Sequence, residues 1–126
     1  MIEALFNQPN YVATKKLLDL TALRHEAIAS NLANAETPRY KRLEVSKNFE
    51  LQLREAIASK DPARIAALKP EIGIDYTAVS NRKDGNTVKL EEELLRLNQN
   101  TLEHTLETQL ITGRLLKLRL AITGRP

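Results

Sequence analysis

The sequence predicts a mainly α chain in which long N- and C-terminal helices pack as a coiled-coil-like pair, joined by a largely irregular middle containing short helices and a short β segment. Three observations predict this. A seam starting at Leu90 runs through Leu94, Leu97, Thr101, His104, Thr108, Ile111, Leu115, Leu118 and Ile122 in alternating steps of four and three residues, the spacing of a helix face made for another helix. A second helical pattern covers residues 11–35. Between them, Pro and Gly interrupt every periodic run before it reaches the length of either terminal segment. The expected organisation is a single elongated domain over residues 1–126, made of an N-terminal helix (11–35), an exit loop and middle region (36–87) and a C-terminal helix (88–123).

Composition narrows the core. Aromatic residues make up 4% of the 126 and Trp is absent, which favours an aliphatic seam over a thick interior. Without cysteine, disulfides, thiolate zinc sites and cysteine nucleophiles are excluded. Residues 1–10 lack a basic stretch followed by an apolar run, so they do not read as a Sec signal peptide, and no apolar stretch reaches the length of a membrane span. The net charge of +3 is scattered along the chain and does not mark a nucleic-acid surface.

Taken in order, Asn7, Pro9 and Asn10 supply helix start signals, and the first helix carries the stripe Leu17, Leu20, Ala27, Ile28 and Leu32, with Arg24 and Asn31 on the same side. Thr37-Pro38 ends it, because proline disfavours helical geometry in the residue before it. Arg39, Lys41 and Arg42 surround Tyr40, a cluster that could hold a phosphate or an acidic neighbour, while the residues alone favour a solvated exit loop. Phe49, Leu53, Ala56 and Ile57 predict a short amphipathic helix over 47–59, and Asp61-Pro62 predicts a second that stops before Pro70. Ile72, Ile74, Tyr76 and Ala78 alternate with Gly73, Asp75 and Thr77 as in an extended or β segment.

A turn-rich connector, residues 80–86, leads to the C-terminal helix, with Asn86 or Thr87 expected as its cap and Glu91, Glu92 and Glu93 in its opening turns. At about 1.5 Å per residue, residues 88–123 extend about 54 Å, and Gly124 supplies the stop. Beside the first seam lies a second stripe, Leu95, Leu102, Leu106, Leu116 and Leu120. Two apolar faces on one helix require two packing partners. The N-terminal helix is expected to cover the first, and the middle is too polar and too short to cover the second. Thr101, His104 and Thr108 interrupt the seam, where polar residues commonly set register.

No catalytic constellation emerges. His25-Glu26 begins a zincin-like motif, but Ala29 stands where its second histidine belongs, and the glycines and serines form neither a phosphate loop nor a nucleophile elbow. No cofactor is expected. A soluble helical adaptor or export chaperone is one reading of the unpaired seam, and a basic nucleic-acid module a weaker one.

The segment from Arg24 to Tyr40 closely resembles the N-terminal signature of bacterial flagellar rod and hook proteins, whose pattern is Asn-Leu-Ala-Asn, a short gap, then Thr-Pro-Gly-Tyr. The matching residues are Asn31, Leu32, Ala33, Asn34, Thr37, Pro38 and Tyr40. The lead from Asp84 to Val88 into the last helix, the small size and the absence of an inserted β domain make the chain most similar to proximal-rod members, over Leu17 to Val45 and Asp84 to Ile122.

The resemblance implies a structural subunit of the basal-body rod, part of the shaft from the MS ring to the distal rod and hook. The implied partners are other rod proteins such as FlgC-like subunits, a FliE-like adaptor and the MS ring at the rod base, and the flagellar type III export apparatus. It also implies a periplasmic location in the basal body reached without signal cleavage, with no nucleic acid and no membrane insertion. The second stripe then becomes intersubunit surface, and the terminal helices of a dilute monomer are expected to be partly disordered. Asn31 and Asn34 can satisfy backbone groups of the exit loop or of a neighbour, Thr37-Pro38 fixes the turn, and Tyr40 anchors it. Arg39 stands at the position of the family's Gly, so a type I turn with Arg39 at negative φ is expected.

Overall fold

The computed structural model describes residues 8–124; Asn7, among the expected start signals, lies outside them. Six elements follow one another: α1 (Pro9–Ala33), β1 (Leu43–Val45), α2 (Lys47–Ser59), α3 (Pro62–Ala67), β2 (Ile72–Ile74) and α4 (Leu90–Thr123). The long terminal helices pack against each other, and the irregular middle holds two short helices and a two-stranded sheet.

Helix α1 begins at proline, whose fixed φ suits the first turn. It ends at Ala33, two residues before the expected limit, because Asn34 turns its side chain back: Nδ2 donates to Ser30 O (2.8 Å) and Oδ1 accepts from the Thr37 hydroxyl (3.1 Å). Helix α3 starts as expected, with Asp61 accepting from the N–H groups of Ala63 and Arg64. Gly124, at φ +65°, closes α4 by donating to Leu120 O.

The cap expected at Asn86 or Thr87 is absent. Helix α4 starts at Leu90 behind Lys89, which makes no side-chain cap. Both polar side chains are engaged elsewhere: Thr87 Oγ1 accepts from Arg42 N (2.8 Å), and Asn86 Oδ1 accepts from Val88 N (2.7 Å).

Strand β2 lies within the expected extended segment and pairs antiparallel with β1 in the register Leu43↔Ile74, Glu44↔Gly73, Val45↔Ile72. The strand pattern does not continue to Ala78. Asp75 Oδ1 accepts from both the N–H (3.0 Å) and the hydroxyl of Thr77, which turns the chain and leaves Tyr76 exposed.

The apolar core gathers Ala13, Leu20, Val45, Phe49, Leu53, Ala56 and Ile65, with Val12, Leu17, Leu23 and Leu68 packed against it. This core joins α1 to the middle region and contains no residue of α4. Leu17 and Leu20 therefore serve α2, α3 and β1, whereas the sequence pattern assigned them to the C-terminal helix.

Candidate assembly site at the helix exit and along the terminal helices

Where α1 ends, amide side chains tie three segments together. Asn31 is fully buried; its Oδ1 accepts from Leu43 N (2.7 Å) and its Nδ2 donates to Leu43 O (2.9 Å), so one side chain pairs with β1 as a neighbouring strand would. The same amide accepts from the Tyr40 hydroxyl (3.2 Å) and donates to Glu93 (3.3 Å), reaching α4. Tyr40 also lies 3.0 Å from Ser30 Oγ. Asn86, 1% exposed, directs Nδ2 at the carbonyls of Asn34, Ala35 and Thr37, at 2.9, 3.1 and 2.8 Å, gathering the acceptors of the exit loop. Leu32 is half-buried, while Ala33, Thr37 and Pro38 are exposed.

Arg39 overturns the expected turn. Its φ is +60°, in the left-handed region, so the type I geometry at negative φ is not adopted. The backbone is held on both sides: Arg39 N donates to Asp84 O (2.8 Å), and Tyr40 N to Thr37 O (3.3 Å). These bonds keep the path that a glycine takes without strain, and the arginine accepts it at a cost of about 1–2 kcal/mol.

The basic cluster around Tyr40 divides. Arg39 and Lys41 are exposed, while Arg42 is 3% exposed and forms the centre of an ionic hub. Arg42 Nε donates to Glu93 Oε1 (2.6 Å), Nη2 to Glu44 Oε2 (3.1 Å) and Nη1 to Asp75; Glu93 also receives Arg96 Nη1 (3.1 Å). Burial works against the charge on Arg42, but its bonds to Glu93, Glu44 and Asp75 prevail and hold it above its usual range. Burial also disfavours ionised Asp75, yet the hydroxyl and N–H of Thr77, followed by Arg42, bring its pKa below the ordinary value. The hub locks β1, the segment after β2 and the start of α4 into one arrangement.

Between α1 and α4 the contact runs antiparallel and its centre is polar. Asn31 meets Glu93; Thr21 O accepts from Asn100 Nδ2 (2.8 Å); the Thr21 hydroxyl donates to Glu107 Oε2 (2.9 Å) and lies 3.2 Å from His104 Nδ1; Arg24 bridges Glu103 (3.2 Å) and Glu50 (2.6 Å). The α4 residues buried in the chain are Glu93, Asn100 and Glu107, spaced by seven. Asn100 Oδ1 is buried without a hydrogen-bond partner among the described residues. Burial raises the Glu107 pKa, with Glu103 adding to the effect and Thr21, His104 and Arg24 opposing it.

The seam of α4 is thus rotated from the expected one. Leu97, Ile111 and Leu118 are half-buried, but Leu90, Leu94, Leu115 and Ile122 are exposed, as are Thr101, His104 and Thr108. Of the three expected register residues only His104 touches α1 through a side-chain polar contact; Thr108 donates its hydroxyl to His104 O within α4. The second stripe, Leu95, Leu102, Leu106, Leu116 and Leu120, is exposed along its length, Leu102 at 72%. Ile28 is buried on α1.

Asn86, Arg42, Glu93 and Asn100 were not singled out for these contacts by the sequence pattern. Glu93 is one of three consecutive glutamates, and only its seven-residue spacing to Asn100 and Glu107 distinguishes it from a dipole partner. Among the described residues no group of three or more His, Cys, Asp or Glu is placed to hold a metal ion, and no helix is long and apolar enough to cross a membrane.

The family described as "Flagella basal body rod protein" matches residues 18–41, the stretch that contains Asn31, Asn34 and the left-handed turn at Arg39. A flagellar basal body rod protein FlgB of Cereibacter sphaeroides is 32% identical over 114 residues, covering 85% of this chain and 88% of that one. The chain belongs to the FlgB family of flagellar basal body rod proteins. FlgB of Borrelia hermsii is 29% identical over 75% of this chain and 82% of its own, and FlgB of Escherichia coli K12 is 25% identical over 80% and 83%. The FlgB family is structural and not enzymatic; its place is the basal body, where it assembles with other rod proteins.

Proposed function

We propose that the chain is a proximal-rod subunit, packing beside FlgC-like subunits and, at the rod base, against a FliE-like adaptor and the MS ring. In this role it forms part of the drive shaft to the distal rod and hook, is required for motility, and reaches the periplasm through the flagellar type III export apparatus without signal cleavage. One observation carries the reading beyond family membership: α4 turns Glu93, Asn100 and Glu107 towards its own chain and leaves Leu95, Leu102, Leu106, Leu116 and Leu120 exposed. A helix that hides polar residues and exposes leucines has its apolar partner outside the chain. Asn31, Asn34, Thr37, Pro38 and Tyr40 act within the subunit, fixing the angle at which the middle leaves the helix pair.

The test is electron microscopy of basal bodies from a deletion strain complemented with variants. Cells lacking the protein should build no rod and should not swim. Leu102→Glu or Leu106→Glu should restore export of the subunit but not the rod. Intact rods in the deletion strain would overturn the reading.

A further inference from the structure

At the middle of the helix pair, one hydroxyl faces more acceptors than it can serve. Thr21, 1% exposed, carries a single hydroxyl proton, yet its Oγ1 lies 2.9 Å from Glu107 Oε2, 3.1 Å from Leu18 O and 3.2 Å from His104 Nδ1. Donors are scarce around it. Asn100 commits Nδ2 to Thr21 O (2.8 Å), and its Oδ1 is buried without a hydrogen-bond partner among the described residues.

Ionised Glu107 takes that proton. A carboxylate has none of its own to give and is the strongest acceptor of the three, so the Thr21 hydroxyl points to Oε2. His104 then meets Oγ1 only as a donor, which places a proton on Nδ1. A proton added to Glu107 reverses the chain: the carboxyl donates to Oγ1, and the Thr21 proton is freed for Leu18 O or for a bare Nδ1. The charged groups about the carboxyl are Glu103 and His104 on α4 and Arg24 on α1, the last tied to Glu50 of α2. Burial, followed by Glu103, favours the neutral carboxyl against Thr21, His104 and Arg24. His104 is exposed, so one end of the chain exchanges protons with solvent.

We propose that His104, Thr21 and Glu107 form a proton-operated latch between α1 and α4, with the Thr21 hydroxyl as a two-way relay. Ionised Glu107 draws the hydroxyl proton and fixes neutral His104 as its Nδ1–H tautomer. Proton uptake at Glu107 reverses the relay, removes a buried charge that lies beside Glu103, and tightens the helix pair; proton loss loosens it. The latch is a property of the single chain and does not rest on the rod reading.

The chain has two histidines, and exposed His25 serves as an internal reference. Proton–nitrogen correlation spectra of the imidazole rings, recorded on the ¹⁵N-labelled full chain, tell the two tautomers apart. With the ring neutral, His104 should be mainly Nδ1–H. Thr21→Val, which removes the acceptor, and Glu107→Leu, which frees Thr21 to donate to Nδ1, should both turn it to Nε2–H, while Thr21→Ser should keep Nδ1–H. Amide-exchange protection of α1 around Thr21 should rise roughly threefold or more from about pH 8 to about pH 5, a window above the titration of Asp75, and Glu107→Gln should flatten that rise. The proposal is overturned by a parent chain whose neutral His104 is Nε2–H, by Nδ1–H persisting in Glu107→Leu, or by a protection profile that Glu107→Gln leaves unchanged.

Discussion

Arg39 shows how a single residue can keep a path that its chemistry disfavours. The path is set by backbone bonds, Arg39 N to Asp84 O and Tyr40 N to Thr37 O, so the arginine holds a left-handed conformation that suits glycine. Arg39→Gly should therefore be neutral to stabilising, by up to about 1 kcal/mol, and Arg39→Val should cost more than 1 kcal/mol, both read from denaturant midpoints. Asn31 is the opposite case, a residue whose chemistry decides. Asn31→Ala should cost about 3 kcal/mol by stranding the Leu43 backbone groups, and Asn31→Asp at least as much at neutral pH, because a carboxylate would face Leu43 O and Glu93. Chemical unfolding of the two variants checks the order. The Asn-Leu-Ala-Asn and Thr-Pro residues were legible as a local motif. The role of Asn86 was not, since an asparagine in Asp-Gly-Asn-Thr reads as turn or cap until the facing carbonyls are placed.

At the scale of elements, the helices α1 to α4 were legible because period and breakers agree. Strand β1 was not: three residues are too few to show alternation, and the run Lys41-Arg42 before it reads as solvent. The inner seam of α4 escaped because hydrophobicity alone selects the leucines, while the contact with α1 is made through hydrogen bonds.

Two opposed pH dependences arise, one at that contact and one in the ionic hub. The Glu107 pKa is raised in the folded chain, so folding gains stability as pH falls through it. Glu107→Gln, which keeps an acceptor for Thr21, should raise the thermal midpoint by a few degrees at pH 7, with the gain shrinking as pH approaches the ordinary carboxylate range. The Asp75 pKa is lowered, so its contribution is complete above the ordinary value near 3.8 and is lost as pH falls through the folded value. Asp75→Asn should destabilise at neutral pH and matter less in acid. Calorimetry across pH separates the two. Within the hub, Arg42→Met should cost about 3 kcal/mol by leaving the buried Glu93 with only Arg96 and Asn31, and Glu44 and Asp75 without their shared cation, and pairing it with Glu93→Leu should recover part of that loss.

For the whole molecule, the decisive property is that internal folding and outward contact use different faces. Apolar packing of the middle is directed at α1, polar contacts join α1 to α4, and the outer leucines of α4 are left exposed. Leu102→Glu should accordingly leave the stability of the isolated chain within about 0.5 kcal/mol of the parent while removing every assembly that needs that face, a contrast that thermal unfolding and sedimentation can show together. That a second apolar stripe would lie beside the first was legible, and the structure leaves it exposed. The polar line at the centre of the inward face was not legible, because Glu93, Asn100 and Glu107 become interior residues only when Asn31, Thr21 and Arg42 stand opposite them.

The three bonds from Asn86 have a topological meaning. They fasten the start of α4 to the end of α1, so the chain between them leaves and returns at nearly one point. A segment with pinned ends can be lengthened without moving what holds it: each doubling of a flexible loop costs only about 0.6 kcal/mol of closure entropy. The exposed tip around Tyr76 and Val79 is thus a natural port, where a foreign domain could be grafted while the helix pair beneath keeps its geometry.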